Sequence, residues 1–297
     1  MSPADTSFLG TGANPDDIVR FSTECEKWDD WNKPAKPFRI HGNTYYVGTC
    51  GIAAILVTSD AGHILIDTGT EVGAELVAEN IEALGFDLQS VKAITHSHEH
   101  FDHIGGFAIM AAKTGARIFA APGAAMTIMT GKDNPQDPQL GLHEPMAENR
   151  SVEVLKAPSD PTGGWSNTLP SHFELALTNA KLAAIHTPGH TPGALTWQWR
   201  SCYGTQCRTI VYADSLSPVS RDDYRFLDHP DYVQAYRDGI ARIATLDCDI
   251  LLTPHPSHSK MIERAATATF EGGMTCAQYA QRKSLALDER LAKEQAQ

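Results

Sequence analysis

Short apolar runs alternate with longer amphipathic ones along most of the chain. The runs "TYYVGT", "AAILVTS", "HILIDTG", "VKAITHS", "ARIFAAP", "KLAAIHTPG", "ALTWQWR", "RTIVYADS" and "CDILLTPHP" are rich in β-branched and aromatic residues and end in turn-forming ones, so they predict strands. Between several of them, "EVGAELVAENIEALG", "FAIMAAKTG" and "DYVQAYRDGIARIATL" place apolar residues three and four apart, which predicts helices with one buried face. Strands interleaved with helices predict one α/β domain. Its expected bounds are 36–297, with residues 1–35 forming an N-terminal arm. The segment from Asp133 to Ser171 is rich in Pro, Gly, Asp and Asn and predicts a long connection, either a flap or a surface loop.

The apolar pattern also echoes itself. "ILIDTG" (64–69) resembles "IVYADS" (210–215), and "AITHSH" (93–98) resembles "ILLTPH" (250–255), each an apolar strand ending in polar residues. The chain therefore reads as two halves that each carry ligands at strand ends.

Composition adds exclusions. At 297 residues, 42% hydrophobic and 20% charged, the chain suits a globular core. Its longest apolar stretches fall short of the roughly 18 residues of a membrane span. The net charge of −12, with no basic run, argues against nucleic acid. The first residues lack the basic and apolar parts of a secretory signal, so the protein either stays inside or has lost a leader. Six cysteines, none in a C-x-x-C pair, read either as buried thiols or as disulfides. Cys202 and Cys207 favour the second reading, because they flank "YGTQ" between two strands, where a bridge would pin a hairpin.

The densest chemistry is "THSHEHFDHIGG", where His98, His100, Asp102 and His103 form an H-x-H-x-D-H pattern. Extended residues two apart share a side, so His98 and His100 grip one ion. A helix starting near Phe101 would turn Asp102 and His103 toward a second position. "HTPGHTPG" adds His190 and "LLTPHPSH" adds His255, both at strand ends. His96 is expected to face away from the ligands or to touch them from behind. Asp67, ending "HILID", is either a turn residue or a carboxylate that fixes a ligand ring. His41, His63, His143, His172, His186, His229 and His258 have no spacing argument and read as surface or packing residues.

On "SHEHFDHIGG", "GHTPG", "YADSLS" and "LLTPHP", the sequence resembles the metallo-β-lactamase-fold hydrolases, and among them the subclass B3 metallo-β-lactamases. The resemblance implies an αβ/βα four-layer sandwich and two zinc ions. The first would sit on His98, His100 and His190, the second on Asp102, His103 and His255. It implies a hydrolase that opens penicillins, cephalosporins and carbapenems by attack of metal-bound hydroxide, with Asp102 orienting the nucleophile. Asp67 becomes an active-site support. The resemblance supports a Cys248 to Cys276 bridge, which leaves Cys25 with Cys50, and three bridges imply the periplasm. A monomer acting on a small β-lactam, with no membrane or nucleic-acid partner, is expected.

The alternative is a lactonase of the same fold acting on acyl-homoserine lactones or other cyclic esters. Such enzymes bridge the two metals with an aspartate after the third histidine, a place Asp214 could fill. Subclass B3 enzymes share the Ala-Asp-Ser run with the serine facing the ligands, so the resemblance implies that Ser215 faces the metals and Asp214 turns into the scaffold. Ser217, two along an extended segment, would face the same side. Substrate contacts are expected from Ser215, Ser217 and Tyr224.

Overall fold

The computed structural model describes residues 16–155, 172–177 and 180–296. Helix α1 (Asp16–Glu24) precedes an antiparallel run of β1 (Phe38–His41), β2 (Thr44–Tyr46), β3 (Ile55–Val57) and β4 (His63–Ile66). Helix α2 (Glu71–Ala83) then crosses over to β5 (Val91–Thr95), which lies parallel to β4. Helices α3 (Phe101–Ile104) and α4 (Phe107–Thr114) lead to β6 (Arg117–Ala120), and α5 (Pro122–Thr130) leads to β7 (Val152–Val154), both strands again parallel to their predecessors. These seven strands form one sheet in sequence order.

The second sheet, in the order β12-β11-β10-β9-β8, is a meander of β8 (His172–Leu177), β9 (Ala180–His186), β10 (Leu195–Tyr203) and β11 (Gln206–Tyr212). Helix α6 (Pro230–Ala244) returns the chain to β12 (Ile250–Leu252), parallel to β11, and α7 (Met261–Ala265) and α8 (Cys276–Gln295) close the described fold.

Strand alternation explains the layering. Ile210, Tyr212, Ile250 and Leu252 join the core shared with the first sheet, whereas Val211, Ala213 and Leu251 pack outward with Tyr236 and Ile240 of α6 and Tyr279 of α8. Ala74 and Val77 of α2 and Phe107 and Met110 of α4 belong to the first core. With both faces of each sheet covered, the strands read as nearly continuous apolar runs. The expected αβ/βα sandwich is the observed fold.

Among the elements outside the predicted runs, which also include β1, β8, α7 and α8, three show why. Strand β7 lies inside the polar connection, and its partly exposed "VEV" gives little apolar signal at the edge of the sheet. Helix α5 starts with Pro122 in its first turn, a usable start signal before a run without polar alternation. Helix α1 lies within the expected arm, yet Phe21 is buried with its ring 4.9 Å from Tyr46 and 5.3 Å from Phe38. Residues 156–171 of the connection lie outside the described residues.

Bridges join Cys25 to Cys50, Cys202 to Cys207 across the β10–β11 hairpin, and Cys248 to Cys276. The topology matters most at one edge. Strand β9 and strand β11 are both antiparallel to β10, and β12 is parallel to β11, so all three run the same way. Their C-terminal ends, with those of β4 and β5, converge on one cleft.

Burial makes two histidines there sensors of acid. His96 accepts from the Ala121 amide at 3.0 Å, and the His186 ring lies 3.1 Å from the Pro192 carbonyl. Burial pushes each ring down to about 4 from the ordinary 6.5. The unfolded chain then binds more protons than the folded one, so stability rises with pH. In urea titrations, the metal-free protein should lose stability as pH falls through about 6.5 and keep losing it until about 4. His186→Gln should flatten that slope; an unchanged midpoint across this range would contradict the burial described.

Candidate metal centre

Strand β5 ends at Thr95, and residues 96–100, bent at 97, 99 and 100, carry the chain to the start of α3, whose first turn carries Asp102 and His103. This is the change of direction that the H-x-H-x-D-H spacing requires. Donor atoms of His98, His100 and His190 lie within 4.8 Å of one another, as do those of His98, Asp102 and His103. His255, at the end of β12, brings Nε2 to 3.4 Å from Asp102 Oδ2. All six expected ligands are therefore gathered at one place.

Four of the five rings have an oxygen behind one nitrogen. His98 Nδ1 lies 2.9 Å from Asp214 Oδ1, His100 Nε2 3.0 Å from Asp137 Oδ2, and His103 Nδ1 3.4 Å from Asp67 Oδ2. His190 Nδ1 donates to the Ser217 carbonyl at 2.9 Å. A partner on one ring nitrogen sets the tautomer and leaves the other lone pair facing inward. His98 Nε2 and both His103 nitrogens are buried and make no hydrogen bond, although His103 Nε2 is 3.1 Å from Asp102 Oδ2.

The electrostatics favour the ligand forms of His98, His190, His255 and Asp102. Burial, reinforced by neighbouring rings, holds His98 and His190 well below the ordinary imidazole range, and burial pushes His255 down to about 4. Burial opposes ionisation of Asp102, but His103, His255 and His98 outweigh it and keep the carboxyl well below its usual range. The same balance works on His100, where Asp137 overcomes burial and raises the ring. Burial likewise opposes protonation of His103, but Asp102 and Asp67 outweigh it and raise that ring to about 10, so a cation entering here displaces a proton. Neutral His98, His190 and His255 beside the ionised Asp102, with unpaired nitrogens turned inward, fit a borderline divalent cation.

Asp67 has φ +62, a conformation uncommon outside glycine, and its carboxylate accepts from the Ser97 amide at 2.6 Å, the Ser97 hydroxyl at 2.7 Å and the Tyr212 hydroxyl at 2.7 Å. It thus joins β4 to the first motif and to β11. Asp214 lies behind His98, not between the two ligand groups, with Oδ2 accepting from the Leu216 amide at 3.1 Å.

Two expectations need correction. Strand β11 stops at Tyr212 and Leu216 has φ +43, so residues 215–217 form a kink and the two-residue periodicity does not orient Ser217. The Ser217 hydroxyl donates to the Ser215 carbonyl at 3.3 Å, while the Ser215 hydroxyl is buried without a hydrogen-bond partner. Among the described residues, Tyr224 makes no hydrogen bond or ring contact with a ligand residue. Its ring stacks on His229 at 4.6 Å and meets Phe226 edge-on, lining a separate cavity of about 690 Å³ with Arg221 and Tyr232. The turn from Arg221 to Tyr224, held by Arg290 on the Tyr224 carbonyl, sets that direction.

Spacing gave no warning of Asp137, an acid in the polar connection, or of Lys283. Nor did it reveal what Glu99 does. That side chain sits between His98 and His100 in sequence but reaches the other half, accepting from the Gly193 amide at 2.7 Å and the Thr191 hydroxyl at 2.5 Å. These residues directly follow His190. The turn also needs Gly193, where a Cβ would come within 2.4 Å of the Ala124 amide nitrogen.

Glu99→Ala should therefore leave two buried donors unpaired at a cost of roughly 2–5 kcal/mol. It should lower the melting temperature and the metal content together, while Glu99→Gln retains most of both. Melting curves and elemental analysis check this, and normal metal content in a destabilised Glu99→Ala would show that the clamp does not position His190.

Residues 47–255 match the family model described as the metallo-beta-lactamase superfamily. Among solved structures, the chain is 49% identical to the MIM-2 metallo-β-lactamase, with 93% of this chain and 98% of that one covered and a TM-score of 0.82. It is 42% identical to MIM-1 from Novosphingobium pentaromativorans, with coverages of 92% and 97% and a TM-score of 0.84. It is 35% identical to MEM-A1, a subclass B3 metallo-β-lactamase from a soil metagenome library, with coverages of 90% and 99% and a TM-score of 0.81. Similarity of this extent, over a cleft built from the ends of strands in both halves, makes the chain a member of the metallo-β-lactamase superfamily and, within it, of subclass B3.

Proposed function

We propose that the protein is a zinc-dependent hydrolase that opens the β-lactam ring of penicillins, cephalosporins and carbapenems, with one zinc ion held by His98, His100 and His190 and a second by Asp102, His103 and His255. The observation that carries this reading is the set of buried, unpaired ring nitrogens of His98 and His103 around the ionised Asp102. The relatives named above are metallo-β-lactamases. Zinc supplies Lewis-acid polarisation of the lactam carbonyl and brings the pKa of water down to about 7.

The chain's own residues do the rest. Asp102 Oδ2, between His103 and His255, accepts a hydrogen bond from the attacking water and orients it. No thiol competes as nucleophile, since all six cysteines are in bridges. Trp31, Phe101 and His143 form an aromatic rim beside His255 and His100, with ring separations of 4.5 to 6.2 Å, and exclude water from one side of the cleft. The Ser215 and Ser217 hydroxyls offer donors to the carboxylate beside the lactam nitrogen.

One chain supplies the whole ligand set, so the protein acts as a monomer on this reading. Three bridges suit the oxidising periplasm. No described helix is long and apolar enough to cross a membrane.

The zinc-loaded protein should hold about two zinc ions per chain by elemental analysis and lose activity to chelators. Asp102→Ala should retain about one zinc and lose most carbapenem turnover. A carbapenem, a cephalosporin and an acyl-homoserine lactone should be assayed side by side. Lactone turnover without β-lactam turnover, or full activity with less than one zinc per chain, would overturn the reading.

A further inference from the structure

The C-terminal helix places a cation at the edge of this cleft. Lys283, on α8, is only 9% exposed, and its ammonium donates to the Ser217 hydroxyl at 3.1 Å. It also lies 5.1 Å from the centre of the Tyr279 ring. No carboxylate of the described residues forms an ion pair with it. The negative charge that acts on it, Asp214, is already engaged by His98 and the Leu216 amide. A buried ammonium with one hydroxyl acceptor and one ring face has donors to spare.

Lys283 lines a cavity of about 270 Å³ together with Lys27, Lys260, Arg282, His258 and Trp28. Four cations meet there, and no aspartate or glutamate lines the cavity. That local excess stands out on a chain of net charge −12. The cavity adjoins the metal centre on two sides. The His258 ring lies 5.2 Å from His255, and Ser217, the partner of Lys283, also holds His190 in place.

We propose that Lys283, backed by this cationic cavity, is the specificity-determining anchor for the carboxylate of the substrate, which it meets at the Ser217 hydroxyl. The proposal rests on the β-lactam reading for the identity of the substrate, and it adds a full charge to a carboxylate site that the two serines would otherwise serve with neutral donors. Charge-assisted hydrogen bonds are roughly twice as strong as neutral ones, so Lys283 should dominate recognition of the acid. Burial pushes the Lys283 ammonium down to about 7, and an incoming carboxylate offsets that by supplying the missing counter-charge. Lys27, Lys260 and Arg282 are exposed and extend the positive field to solvent, where they raise the local concentration of anionic ligands.

The test compares a cephalosporin free acid with its methyl ester on zinc-loaded wild type, Lys283→Met and Lys283→Arg, reading turnover by steady-state kinetics and binding by calorimetry. Lys283→Met should raise KM for the acid about tenfold or more, leave kcat within about twofold and zinc content unchanged, and leave the ester unaffected. Lys283→Arg should restore most of the preference for the acid. The double variant Lys260→Gln, Arg282→Gln, altered only at exposed positions, should weaken acid binding and reduce its sensitivity to salt, which keeps the test open should Lys283→Met fail to fold. Equal effects on acid and ester, a loss confined to kcat, or equal wild-type binding of acid and ester would overturn the anchor. Tighter wild-type binding of the acid with no turnover of either compound would instead overturn the β-lactam reading and leave the anchor standing.

Discussion

Four of the five ligand rings in this cleft depend on the oxygen behind the far nitrogen. Asp214, Asp137, Asp67 and the Ser217 carbonyl each stand behind one histidine, and together they choose which lone pair faces inward. The rest of the architecture serves those four supports. They come from β4, from the connection after α5 and from the segment after β11, so the two sheets must be closed on each other before the rings are aimed. Glu99 ties that closure to the metal position itself, because it belongs to one ligand loop and grips the other.

The cost of this design is a concentration of buried polar groups. Asp67, His96, Ser97, His98, His103, Asp214 and Ser215 are all essentially inaccessible to solvent. Such groups are tolerable only where nearly every donor and acceptor is matched, and the few unmatched atoms then carry information about what binds. Here three of the unmatched atoms belong to His98 and His103 at the centre, and Asp214 Oδ1 and the Ser215 hydroxyl are unmatched beside them.

The sequence made the fold legible wherever both faces of a strand are buried, since "HILIDTG", "VKAITHS" and "RTIVYADS" are nearly continuous apolar runs. It was silent on β7, whose short "VEV" sits half exposed on a sheet edge. The ligand residues were legible because the change from β5 to α3 is written in the spacing of four residues. Their supports were not: Asp137 sits in a polar connection, where one more aspartate carries no periodic signal, and Lys283 lies on α8, far along the chain from the serine it touches. Tyr224 shows the converse. Nearness in sequence to Ser217 suggested a shared role, but the turn at Arg221 carries the ring into another cavity. The left-handed Leu216 broke the alternation that Ser217 was expected to follow.

The order of the parts along the chain has a consequence for biosynthesis. Asp67 and the first motif come early, His190 near the middle, His255 and the helix bearing Lys283 near the C-terminal end, and the bridge from Cys248 to Cys276 fastens that helix beside β12. A chain growing from its N-terminus cannot close the cleft until its last described helix has been made. Completion of the ligand set is therefore a late event, because His255 and the helix that closes beside it are made after every other donor.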